Sequence, residues 1–422
     1  MRAKVFLIIS IFISFSLSFV IEARELSIQQ LEERKKADKE RKKEREKRGA
    51  KEFQKEVTLT TDIIFISKER ETPPVLSNLD PILEDEGFYG VKLAIEDNLT
   101  TGRFLGHDYK VEFHRILLEE NLEIEFKKLL KQGRKIFVVD LNEDELLSLM
   151  KIPEIDDVLI FNVRAKNDSL RNENCRKNFF HIPPSYSILS DALTQYLVKK
   201  KWKKWFLVTG PDKNDQIYSD ALKSSAKKFN VKIKEEKIWN FTADLRRTAG
   251  KEVPIFTKGS KYDVLVVADE DGEFGEYLAY RTWDPRPIVG TQGLKPNSWH
   301  RTHEQWGATQ MQNRFRRESG RWMTEVDYHS WTAVRAIGET ITRIQVNDVD
   351  EMRKYLLGEK FGLGAYKGVK VSFRSWNGQL RQPILLAAPR SMVSVSPQEG
   401  YIHPVSELDT LGKDQPESTC KF

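Results

Sequence analysis

From Val57 onward, short runs of β-branched and aromatic residues alternate with stretches whose apolar residues recur three and four positions apart. The runs VTLTTDIIFI (57–66), YKVEFHRIL (109–117), KIFVVDL (135–141), VLIFNV (158–163), KWFLVTG (204–210), KIKEEKIWNF (232–241), DVLVVAD (263–269) and RPIVGTQ (286–292) predict strands. Between them EGFYGVKLAIEDNLTT, EIEFKKLLKQG, NEDELLSLMK, SILSDALTQYLVKKK and DQIYSDALKSSAKKF predict amphipathic helices. Alternating strands and helices imply βαβ units, hence an α/β chain of mostly parallel sheets with helices on both faces. The strands fall into two batches, before about residue 180 and from about 200 to 292. A long helical region follows, and then a strand pair turned by Asn377-Gly378. Two lobes accommodate these strands better than one open sheet. The expected partition is 57–180 with 301–366 and 181–300 with 367–395, crossings near 180, 300 and 366 forming a hinge, and a tail over 396–422.

The N-terminus has a different character. Arg2 and Lys4 precede an apolar run to Ile21, and Ile21-Glu22-Ala23 supplies a small-residue exit site. This predicts a secretory signal over 1–23, cleaved near Ala23; the alternative is an uncleaved anchor, for which the run is short of the ~20 residues a spanning helix needs. Residues 24–56 carry 13 Lys/Arg against 9 Asp/Glu and read as a charged helical or disordered spacer. Of the formal charge of +6, that spacer holds +4 and the signal segment +1, so the body is nearly neutral and nucleic acid is not an expected partner.

In an exported chain the two cysteines, Cys175 and Cys420, predict a single disulfide pinning the tail, with two unrelated buried thiols as the alternative. Neither has a CxxC partner, which argues against zinc and dithiol redox chemistry. No GxxxxGK[ST] or GxGxxG phosphate loop occurs. The stretch VLVVADEDGEFGEYL crowds Asp269, Glu270, Asp271 and Glu273 after a strand. An EF-hand loop starting at Asp269 fails, because its sixth and twelfth positions are Phe274 and Tyr280. HEQWG, beginning at His303, lacks the second histidine of a zinc HExxH helix. The carboxylates are expected on the rim of a binding cleft, because ligands of open α/β sheets sit beyond the carboxyl ends of the strands; a solvated loop is the plainer alternative.

The segments GFYGVKLAIEDNLTTGRFLGHDYKVE and LVTGPDKNDQIYSDALKSSAKKF resemble the openings of the two lobes in type I periplasmic binding proteins of the branched-chain amino-acid ABC transporter class. More narrowly, VLIFNVRAKNDSLRNENCR, TWDPRPIVGTQGL and WHRTHEQWGATQMQNRF look like the subgroup associated with PQQ-dependent alcohol catabolism. The resemblance covers roughly residues 57–420. It implies a two-lobed fold, a periplasmic location, a small-molecule ligand in the interlobe cleft, an ABC permease as partner and no enzymatic activity, with no cofactor or metal. A PQQ-dependent dehydrogenase or its cytochrome is a further implied partner, and an accessory protein that docks to or helps assemble that dehydrogenase is the alternative function. Where amino-acid binders carry a Ser/Ala/Thr run, this chain has Asn162-Val163-Arg164-Ala165-Lys166, which argues against an amino-acid ligand. The expected contacts are Asn162, Ala165 and Lys166 from one lobe and Asp269 and Glu270 from the other. Ser185 and Tyr186, at a helix start whose amides suit a carboxylate, and the aromatics Tyr218 and Trp283 complete the set; plain helix capping and ordinary packing are the alternatives for these two pairs.

Overall fold

The computed structural model describes residues 55–71, 82–240 and 245–422. The expected signal and most of the charged spacer lie outside the described residues, and within them no helix is long and apolar enough to cross a membrane.

The first lobe is built on a parallel sheet of β1 (Leu59–Lys68), β2 (His107–Ile116), β3 (Ile136–Asp140), β4 (Leu159–Asn162) and β5 (Phe179–His181), in the order β2-β1-β3-β4-β5. Its central strands are continuous apolar runs because both faces are covered. On one face Ile63, Phe65, Val138 and Phe161 pack with Val91 and Leu93 of α1 (Phe88–Leu105) and with Tyr328, Trp331 and Ile337 of a later helix. On the other, Ile64, Ile66, Phe137 and Ile160 pack with Phe126 and Leu129 of α2 (Leu122–Lys131) and Leu146 of α3 (Glu143–Leu149).

The second lobe repeats the plan. After α4 (Tyr186–Lys199) come β6 (Lys204–Thr209), α5 (Lys213–Lys228), β7 (Lys232–Ile238), α6 (Leu245–Thr257), β8 (Val264–Ala268) and β9 (Ile288–Gly290). These strands form a parallel sheet in the order β7-β6-β8-β9. KIKEEKI is an edge strand, and its lysines and glutamates blunt that edge against association. Beyond β10 (Lys295–Asn297) the chain returns to the first lobe through α7 (Ala308–Ser319), α8 (Glu325–Ile344) and α9 (Val349–Leu356).

Short antiparallel pieces follow: β11 (Leu363–Gly364), β12 (Lys370–Phe373) and β13 (Leu380–Arg381) form one sheet, and β14 (Ile384–Ala388) and β15 (Ser391–Ser396) join β10 in another. The Asn377-Gly378 turn sits between β12 and β13, and Gly378 has φ of 66° with room for no Cβ, because the Phe179 carbonyl oxygen lies 2.3 Å from where one would be. Where the sequence reading places the last crossing near 366, residues through Leu380 still pack with the first lobe's core, and Ile384 is the first to enter the second. A short apolar residue fits either core, so pattern alone could not place that switch.

Candidate functional site

The segments that follow β4 and β8 meet through Lys166 and Glu270, among the contacts expected from the sequence. At the end of β4 the buried Asn162 side chain accepts N–H bonds from Arg164 (3.1 Å) and Ala165 (2.9 Å) and donates to the Ala165 carbonyl (2.8 Å). This local loop of bonds, the usual habit of asparagine in turns, leaves Asn162 and Ala165 as scaffold and projects Lys166 across the cleft. Arg164 is directed elsewhere, onto Asp140 at the end of β3 and onto Glu86 (2.6 Å).

Lys166 meets Glu270 directly. Its ammonium donates to the Glu270 carboxylate at 3.0 Å, and the Tyr186 hydroxyl donates to the same oxygen at 3.1 Å. The ammonium also lies over the Tyr186 ring, 5.9 Å from its centre, and the Tyr218 ring stands 5.5 Å from that of Tyr186. Burial disfavours the Lys166 charge, but Glu270 and Glu325 outweigh it and hold the ammonium above its ordinary pKa. Burial, with Glu270, pushes both tyrosines up, so they remain hydroxyl donors. Lys166, Tyr186, Tyr218 and Glu270 are thus brought together as one cluster.

The remaining expected contacts have other duties. Asp269 is 2 % exposed and accepts N–H bonds from Glu273 (2.9 Å), Phe274 (3.1 Å) and Gly275 (2.6 Å), so it shapes its own loop instead of lining the rim. Local backbone amides claimed this carboxylate before a ligand could, an outcome that residue type and position do not reveal. Gly275 is required there, since a Cβ would stand 2.8 Å from the Asp269 Oδ2 atom. Trp283 is 54 % exposed and stacks under Lys258, 4.6 Å from its ring centre, without joining the cluster. Ser185 caps α4 by accepting from Ile188. The other amides of that turn are occupied too: Tyr186 donates to the Lys166 carbonyl (3.0 Å) and Ser187 to the Asp168 carboxylate (2.9 Å).

Several residues without any signal in the sequence are buried around Lys166. Glu325 accepts from the Ser298 amide at 2.6 Å, and burial pushes the His329 imidazole down to about 4, so that it is neutral. His329 Nδ1 donates to the Val163 carbonyl (2.9 Å), which leaves Nε2 to accept; the Ser298 hydroxyl has one proton for His329 (2.6 Å) and Glu325 (2.7 Å). The Arg171 guanidinium is buried and ties the Asn167, Ala165 and Pro183 carbonyls to Gln379, bracing the crossing segments. Asp215 receives the Glu270 amide at 2.6 Å, yet burial, with Asp269 nearby, pushes its carboxyl up to about 7.

Lys367 is 1 % exposed, donates to the Ser298 carbonyl and, at 3.2 Å, to that of Pro383, and burial pushes its pKa down to about 7, with Glu325 opposing. An unfolded lysine titrates near ~10.4, so between about 7 and 10.4 the unfolded chain holds a proton the folded one lacks. This contribution to stability is complete above about 10.4 and is lost as pH falls toward 7, with an upper bound of about 4.6 kcal/mol at about 1.36 kcal/mol per pKa unit. The thermal midpoint of wild type relative to Lys367→Met is expected to rise between pH 7 and pH 9.5. An offset that is equal at both pH values rules out titration of Lys367 as its source.

Among the described residues no group of three or more His, Cys, Asp or Glu side chains is placed to hold a metal ion. Two open grooves, of about 390 and 280 Å³, lie on the first lobe, and neither is lined by Lys166 or Glu270.

No protein-family model matches the chain, and no curated protein matches it. Solved structures do match. A periplasmic binding protein from Burkholderia mallei is 16 % identical, covering 86 % of this chain and 98 % of its own with a TM-score of 0.63. The fold is that of a periplasmic binding protein. The leucine-, isoleucine-, valine-, threonine- and alanine-binding protein of Brucella ovis, in its closed conformation, is 11 % identical over 83 % of this chain and 97 % of its own, with a TM-score of 0.63. An ABC transporter solute-binding protein of R. palustris in complex with benzoate is 12 % identical over 86 % and 99 %, with a TM-score of 0.62. At these identities the periplasmic-binding fold is what is shared.

Proposed function

We propose that this chain is the periplasmic solute-binding component of an ABC transport system, taking up a small organic ligand between its lobes without transforming it. The observation that carries this reading is the Lys166–Glu270 contact joining the ends of β4 and β8 across the cleft. A hydroxyl inserted there would accept from Lys166 and donate to Glu270, keeping both charges satisfied, so an alcohol suits the site. The similarity of fold to ABC transporter ligand-binding proteins supports the reading. The link to PQQ-dependent alcohol oxidation is supported by the sequence resemblance alone. The lobes are taken as residues 59–180 with 299–380, and 181–298 with the chain from 384. Catalysis is not part of the proposal, because Asp269 is committed to three amides and Glu270 to Lys166 and Tyr186.

A second reading, an accessory protein that docks to a quinoprotein dehydrogenase, is favoured by the direct pairing of the cleft's own side chains. Calorimetric titration with short alcohols, aldehydes, carboxylates and PQQ separates the two. At least one alcohol is expected to bind wild type and to bind Glu270→Ala about ten- to a hundredfold more weakly, the equivalent of one charge-assisted hydrogen bond. If wild type binds none of them, the solute-binding reading fails. Asp269→Ala is no substitute for this variant: it is expected to lower folding stability by roughly 2–4 kcal/mol through the three amides it strands.

A further inference from the structure

The cleft offers one place for an anion and one for a cation, and both are filled by residues two positions apart in one loop. The first is the start of α4, where the amides have no partner within the helix and the aligned peptide dipoles favour negative charge. There the Asp168 carboxylate accepts the Ser187 amide at 2.9 Å through one oxygen and the Ser187 hydroxyl through the other. The second is the Glu270 carboxylate beside the Tyr186 ring, a pairing of acid and aromatic face that suits an ammonium. There Lys166 sits, 3.0 Å from the carboxylate and 5.9 Å from the ring centre. The arrangement is held, not incidental. Lys166 also lends its carbonyl to the Tyr186 amide, and Arg171 clamps the Ala165 and Asn167 carbonyls on either side of it.

We infer that Lys166 and Asp168 act as a built-in surrogate for a zwitterionic solute and are the specificity-determining residues that bar free α-amino acids from the cleft. The inference rests on the solute-binding reading of the same cleft. An α-amino acid brings a carboxylate and an ammonium that must each evict a side chain of the same charge, gaining no new interaction in exchange. A hydroxyl-bearing solute has no such conflict, since it can bridge Lys166 and Glu270 with both left in place. The exposed contact between Lys213 of α5 and Asp144 of α3, at 3.0 Å, also crosses between the lobes, but it is solvated and contributes little to this selection.

The test is calorimetric titration of the twenty standard L-amino acids into wild type and into a Lys166→Ala/Asp168→Ala double variant whose folding is verified by circular dichroism. Wild type is expected to bind none at millimolar concentration. The double variant is expected to bind at least one, with a gain of about tenfold or more, the scale of one charge-assisted hydrogen bond restored. Micromolar binding of any amino acid by wild type overturns the inference and leaves the solute-binding reading standing. A folded double variant that gains no amino acid also overturns it. Failure of wild type to bind any alcohol, aldehyde, carboxylate or PQQ instead defeats the solute-binding reading, while the gain in the double variant still decides this one. Should the double variant not fold, Lys166→Ala alone is titrated, with the same two outcomes.

Discussion

Asp409→Ala is expected to destabilise the protein by about 3–5 kcal/mol, the cost of leaving a buried cation without its counter-charge. Asp409 has a fully buried side chain and accepts from Arg374 Nε at 2.8 Å and from Arg381 Nε at 2.9 and 2.8 Å. Both guanidiniums flank Trp376, and their other donors reach the Leu411, Lys413 and Phe373 carbonyls. One carboxylate therefore fastens the tail to the β12–β13 hairpin. Because Arg374 is itself buried, water cannot replace what the substitution removes. The measurement is the urea midpoint at pH 7, with Asp409→Asn in parallel to retain part of the hydrogen bonding. A loss below about 1 kcal/mol for the alanine variant would mean that the guanidiniums re-pair and that the cluster is not a structural node.

Replacing Cys175 and Cys420 together by serine is expected to cost up to about 5.5 kcal/mol, the chain-entropy value for closing so long a loop, and less to the extent that the reduced chain retains structure. The bond joins residues 245 apart in sequence, from the loop ahead of β5 to the end of the tail. Between these ends the tail is anchored to the second lobe. Leu411 packs in its core, and Gly412 donates to Asp191 (2.9 Å) while accepting from Lys228 (2.9 Å). The disulfide thus connects a first-lobe loop to a strap seated on the second. Thermal unfolding of the double serine variant against wild type checks the effect. An unchanged midpoint would show that the noncovalent anchors alone hold the tail. The Asp409 and cysteine effects share that segment and are expected to be less than additive in combination.

The sequence by itself determined the architecture, because a buried parallel strand must be apolar on both faces and a covering helix on only one. DIIFI, IFVVD, VLIFN and VLVVA therefore declared themselves, and the alternation with amphipathic helices fixed the α/β class. A short element with no turn signal beside it did not: β5 has only three residues, too few for any period to appear. Of the contacts expected from the sequence, Lys166, Glu270, Tyr186 and Tyr218 converge at the ends of β4 and β8. What only the tertiary structure decided is how each polar group spends its bonds. Asp269 and Asn162 turned to their own loops, Asp168 took the helix start offered to a ligand, and Lys166 found Glu270 across the cleft. Glu325, His329 and Lys367 converge on Ser298 from helices and loops far along the chain. A polar side chain carries the same letter whether it faces water, a backbone amide or a partner 104 residues away, as Lys166 does. Apolar pattern is periodic and local, so it is written in the sequence. The pairing of charges is a matter of distance in space, and only the fold supplies that.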